Sequence, residues 1–208
     1  MTILTAYQIY DLLNRTHPLW LVRIDLSDAI LWAADLSNSN LSWANLTRTD
    51  LSLADLSHSN LSKADFHMAN LYEALLALTN LNGANLTRAN LTRANLAKSE
   101  MIETIFVEAN LSRANLTKGN LTRANLNGAI LTRADLSKAE LNGANLNGAE
   151  LPFANLFEAN LSEADLRGAN LSKTDLTGAN LNKANLTGAN LTDADLTDAI
   201  MPDGKKHE

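Results

Sequence analysis

From residue 24 to residue 201 the chain repeats every five residues, with no insertion or deletion. Residues 179–199 show the pattern: Ala-Asn-Leu-Asn-Lys, Ala-Asn-Leu-Thr-Gly, Ala-Asn-Leu-Thr-Asp, Ala-Asp-Leu-Thr-Asp, Ala. Every fifth residue from Leu26 to Met201 is large and apolar. Thirty-two of these thirty-six stops are Leu, and the others are Phe66, Met101, Phe106 and Met201. Two residues before each stop stands a small residue, Ala at twenty-seven of them. The exceptions are Ile24, Ser39, Thr49, Ser59, Thr79, Ser99, Thr104, Gly119 and Thr174. Directly before the stop comes Asn or Asp, except at Ile30, Leu75, Glu100, Ile105, Ile130, Glu140, Glu150 and Ile200. Repetition on this scale decides the architecture before local preference does.

A period of five suits neither common element. On an α-helix, five residues advance about 500°, which scatters the Leu column around the circumference. On a flat strand, side chains alternate faces, so steps of five send alternate Leu residues to opposite sides. A chain that turns one corner per pentapeptide keeps every Leu on the inside. The small column is then small because the Leu side chains already crowd each layer.

The A-[DN]-L-x-x pattern over residues 24–201 resembles the pentapeptide-repeat family. That resemblance implies an all-β fold, a right-handed quadrilateral β-helix in which four corners close a twenty-residue coil. About nine coils are expected, stacked roughly 4.8 Å apart. The ending Ala199-Ile200-Met201-Pro202-Asp203-Gly204 is similar to that of cyanobacterial members, one of which modulates heterocyst differentiation by binding a partner protein. We number the four faces by their first stops: Leu26 on face one, Leu31 on face two, Leu36 on face three and Leu41 on face four.

Three segments are expected: an N-terminal cap (1–18), the repeat body (19–201) and a frayed tail (202–208). Thr5 and Gln8 stand in the capping-box relation, and Ile9, Leu12 and Leu13 recur at helical spacing. They predict a short helix over 5–14 that covers the open first coil, since bare solenoid ends invite assembly. At the other end Ile200 and Met201 are expected either to seal the last coil or to support an end-to-end dimer. The Asn/Asp column is expected to bond backbone at the corners, as short polar side chains do. Gly128, Gly148, Gly168 and Gly188 share one corner of face one, and predict stacked type II turns with positive φ there.

Two surface features depart from the repeat. Arg93, Arg113 and Arg133 stack on face two at twenty-residue spacing, and Lys98, Lys118 and Lys138 do so on face three. This basic plate could receive an acidic protein surface or a phosphate backbone, or could simply keep the rod soluble. Trp32, Leu53 and Tyr72 also share face two and should touch. Outward aromatics in a cluster mark either an interface or a surface covered by the N-terminal segment.

Chemistry finds no foothold. The chain has no Cys, which excludes disulfides and thiolate metal sites. Its four His residues share no metal-binding spacing. No nucleophile–base set stands out, and a bore filled with Leu leaves no pocket. No cofactor is expected, and the chain is not expected to be an enzyme. A net charge of −6, and the lack of aromatics noted beside the basic plate, argue against nucleic acid. No apolar run is long enough to span a bilayer, and no secretory leader is evident, so a cytoplasmic protein is expected. The leading expectation is a non-enzymatic scaffold or regulator, monomeric or dimeric, that binds another protein through its lateral faces. The alternative carried by the resemblance is a DNA mimic that protects a topoisomerase. Its marks would be an anionic rod and a C-terminal helix, whereas the middle coils here are basic. Surface binding through Thr ladders is disfavoured, because Ile102, Val107, Pro152 and Phe157 interrupt the Thr column.

Overall fold

A computed structural model describes Gln8, Ile9, Asp11 and residues 18–207. Every bridge of the repeat body pairs residue i with residue i+20 in parallel, from Trp20–Asn40 to Asn180–Ile200. Four pentapeptides therefore make one coil, and each coil lies on the next in perfect register. All apolar stops from Leu26 to Leu181 are buried, together with most of the small column. They form one continuous core down the middle of the rod.

The backbone of one pentapeptide, residues 111–115, shows how the coil is built. Leu111 N–H donates to Ile130 O at 2.7 Å and Arg113 N–H to Thr132 O at 3.0 Å, both in the following coil. Asn115 N–H donates to Ala94 O of the preceding coil at 2.9 Å. Ala114 N–H closes the corner on Leu111 O at 3.0 Å. One donor is left, Ser112 N–H, and the Asn110 side-chain oxygen accepts it at 3.0 Å. The Asn/Asp column thus supplies the acceptor that the coil-to-coil ladder lacks. The exceptions bear this out in part. Glu150 and Ile200 are each followed two residues later by Pro152 and Pro202, which have no N–H to satisfy.

Each corner is a turn whose third residue has positive φ. The sequence predicted this for the glycine corner of face one. Instead, every residue of the column from Arg23 to Asp198 adopts it, including Trp43 (61°), Leu53 (59°) and Phe153 (60°). Left-handed backbone disfavours a Cβ. Three ladder bonds and one turn bond per pentapeptide hold it in place, and neighbouring coils hold each corner from both sides.

Polar residues in the small column are buried without being orphaned. Thr49, Ser59, Ser99, Thr104 and Thr174 each donate a hydroxyl to the carbonyl of a Leu twenty-three residues earlier, at 2.7–2.9 Å. They staple one coil to the one before. Gly119 has a different cause. A Cβ there would lie 2.7 Å from Cε of Met101 and 3.0 Å from Leu116 O. Met101 is longer than the Leu it replaces, and Gly119 makes room for its end.

The two ends differ from expectation. Gln8, Ile9 and Asp11 have helical backbone, and Ile9 packs half-buried against the core. The rest of the helix expected over 5–14 lies outside the described residues. The tail expected to fray turns back instead. Gly204 N–H donates to Met201 O at 2.9 Å, Met201 N–H to Lys205 O and His207 N–H to Ala199 O, both at 2.7 Å. Ile200 and Lys206 form an antiparallel bridge. This hairpin leaves the last coil open, and Met201 itself stays half-buried. Leu186, Leu191 and Leu196 are only half-buried, and a shallow recess lined by Asp193, Leu196, Thr197 and His207 marks the open end.

Candidate functional site: the cationic edge of faces two and three

The ladder register puts Arg93, Arg113 and Arg133 directly above one another at the corner of face two, each donating its N–H to the next coil. Lys98, Lys118 and Lys138 occupy the same position on face three. The plate read from the sequence is therefore a spatial plate, but its charges are not equivalent. Arg93 is drawn back to Glu73 at 2.9 Å and also donates to the Tyr72 hydroxyl at 3.3 Å. Those bonds hold the Glu73 carboxyl below its ordinary value and raise the Arg93 guanidinium. Lys138 pairs with Glu158 at 3.2 Å. Among the described residues, no ion pair engages Lys98, Arg113, Lys118 or Arg133.

The second candidate cluster sits on the same strip. Trp32 and Leu53 are exposed, at 61% and 43%, and Tyr72 is half-buried. They occupy consecutive coils at the face-two corner, where Leu53 N–H donates to Tyr72 O at 2.9 Å. Through Tyr72 and Arg93 the aromatic cluster runs into the basic plate.

Aromatic rings do interleave with the cations, contrary to the sequence reading. Arg133 lies over the Phe153 ring with 5.4 Å between the guanidinium carbon and the ring centroid, and the Lys173 ammonium lies 5.3 Å from the same centroid. Lys138 lies 5.7 Å from the Phe157 centroid. Phe153 is half exposed, and its two cations come from the coil before and the coil after. Each contributes roughly 0.5–1 kcal/mol at such an exposed site. The signal was present in the sequence as the column Arg133, Phe153, Lys173. It was missed because Phe157 read as an interruption of the Thr column, and Phe153 was not read as a partner of its coil neighbours.

Nearby carboxylates are occupied locally. The Glu150 carboxylate accepts from Asn170 at 2.7 Å, and Asp135 and Asp175 accept the N–H of Ser137 and Thr177, both at 2.9 Å. Among the described residues, no group of three or more His, Asp or Glu is placed to hold a metal ion. No helix there is long and apolar enough to cross a membrane.

A four-cornered parallel coil with a Leu-filled bore and a decorated edge defines a solenoid of the quadrilateral β-helix class. Comparison with known proteins adds its hand, right, and its kinship. The pentapeptide-repeat profile matches in eight copies, over residues 39–76, 69–106, 109–148, 134–172 and 159–198, and the chain belongs to the pentapeptide-repeat family. It is similar to HetL, a pentapeptide-repeat protein involved in heterocyst differentiation regulation in the cyanobacterium Nostoc sp. strain PCC 7120. The identity is 36%, over 98% of this chain and 100% of HetL, with a TM-score of 0.59. It also shares its fold with QnrB1, a plasmid-mediated fluoroquinolone resistance protein. There the identity is 20%, over 85% of this chain and 88% of that one, with a TM-score of 0.65. No curated protein matches the chain significantly.

Proposed function

We propose that this chain is a non-enzymatic regulatory scaffold whose edge between faces two and three binds another protein. The observation that carries this reading is the concentration of exposed cations and rings in one strip of a rod whose bore is filled with Leu. Arg and aromatic side chains supply most contact energy where proteins meet. A corner fixed by four backbone bonds per pentapeptide presents them with little ordering cost. The end-to-end likeness to HetL supports a regulatory role. The likeness to QnrB1 is one of fold, and the cationic middle coils run against an anionic DNA mimic that would shield a topoisomerase.

The test compares the wild-type rod with an Arg93→Glu/Arg113→Glu/Arg133→Glu variant as bait in lysate of the source organism, read by mass spectrometry. A protein retained by the wild type and lost by the variant is expected. Equal retention by both would move the binding surface off this strip, and protection of gyrase from inhibition by the wild-type rod would restore the DNA-mimic reading.

A further inference from the structure

Within that reading, which this inference rests on, the spacing of the free cations selects the shape of the partner. The face-two corner column runs Glu73, Arg93, Arg113, Arg133, Phe153, Lys173, Asp193. Acidic residues close it at both ends, and Glu73 takes up Arg93. The cationic segment left for a partner is Arg113, Arg133 and Lys173, with Phe153 between the last two. Phe153 has a cation against each face of its ring, from the coil on either side. Both cations compete with a base or ring that would stack on it. The strip thus has one preference along its length, for negative charge.

Coil spacing sets where that charge must fall. With coils roughly 4.8 Å apart, Arg133 lies about 4.8 Å from Arg113 along the rod and Lys173 about 14.4 Å from it. An extended strand presents same-side residues about every 6.8 Å, so it meets the outer pair and misses the neighbouring one. An α-helix rises about 1.5 Å per residue, so residues i, i+3 and i+10 lie at about 0, 4.5 and 15 Å and within roughly 80° of each other around the axis. We propose that the strip from Arg113 to Lys173 is a docking rail for an acidic α-helix of a partner protein. The helix lies along the rod axis, with carboxylates at i, i+3 and i+10 against Arg113, Arg133 and Lys173. Lys118 on the adjoining corner stands beside the rail and extends the positive field to the helix flank.

The experiment uses the full chain and two fluorescein-labelled, alanine-rich helical peptides of identical composition. One carries Glu at i, i+3 and i+10. The other carries Glu at i, i+5 and i+10, which spreads the charge around the helix. Fluorescence anisotropy at low salt should show the first binding at least about tenfold tighter than the second. Lys173→Glu should abolish that preference, and Lys183→Glu, on the opposite face four and already paired with Glu163, should leave it intact. Thermal melts of both variants confirm folding, since both residues are solvent-facing. Equal binding of the two peptides, an unchanged preference in Lys173→Glu, or tighter binding of an oligothymidylate than of the patterned peptide would each overturn the rail. If the lysate partner is still lost on charge reversal while the two peptides bind equally, lateral binding stands and only the helix geometry fails.

Discussion

At the residue scale, two glycines that look alike in the sequence stand for different constraints. Gly148 has φ of 64° and nothing within 4 Å of where a Cβ would be. Gly148→Ala therefore reports the left-handed backbone alone, and should lower stability by about 1 kcal/mol in urea melts. Gly119 has no positive φ but faces Met101. Gly119→Ala should cost about 1–3 kcal/mol by overpacking, and Met101→Leu should recover most of it. A double-mutant cycle showing no coupling would separate the two residues. The acceptor column makes a third contrast. Ile130→Asn offers an oxygen to Thr132 N–H and should stabilise by about 0.5–1.5 kcal/mol. Glu150→Asn offers one to Pro152, which has no hydrogen to give, and should gain nothing by this route.

At the element scale, each coil depends on apolar stops inside and bonds along the rod. Leu116→Ala should cost about 2–5 kcal/mol, because the bore cannot collapse around one missing side chain. A one-residue insertion after Leu116 should be worse, since it moves every later stop off the core. Thr104→Val should cost about 1 kcal/mol through the lost bond to Leu81 O. The Asx corners also give the coils an acid limit. The Ser27 hydroxyl and N–H hold the Asp25 carboxyl below its ordinary value, and Ser52 does the same for Asp50. A depressed folded-state pKa gives stability that is present above the unfolded pKa and lost as pH falls through the folded one. Melting temperature should accordingly be flat near neutrality and decline below about pH 4, where unfolded Asp takes up protons first.

Most of this scale was legible in the sequence. The Leu and Ala columns announce the bore, and the Asn/Asp column announces the corners. The uniform positive φ was not legible, because Trp43, Leu53 and Phe153 are residues that local preference keeps out of left-handed backbone. Only the stacked ladder overrides that preference, and a ladder is not a local property. The folded-back tail escaped for the same reason. Pro202 and Gly204 read as breakers, and the bond from His207 to Ala199 that makes them a hairpin spans eight residues.

At the scale of the whole molecule, stability should vary along the rod. In the last coil, among the described residues, the N–H groups of Leu186, Leu191 and Leu196 find no backbone acceptor, whereas Leu111 and Leu116 N–H are paired at 2.7 Å. Hydrogen exchange should be fast at the first three and slowest in the middle coils, as in a one-dimensional array that frays from an end. Uniform protection from Leu111 to Leu196 would show that something covers the C-terminal end in solution.

The ladder that binds coil to coil runs parallel to the long axis. Tension applied between the two ends would load those bonds a coil at a time, like opening a zipper, and would not shear many at once. A single molecule held between a surface and a cantilever should yield at modest force in evenly spaced events. Each should release one turn of twenty residues, about 65–70 Å of chain, less the height that turn occupied.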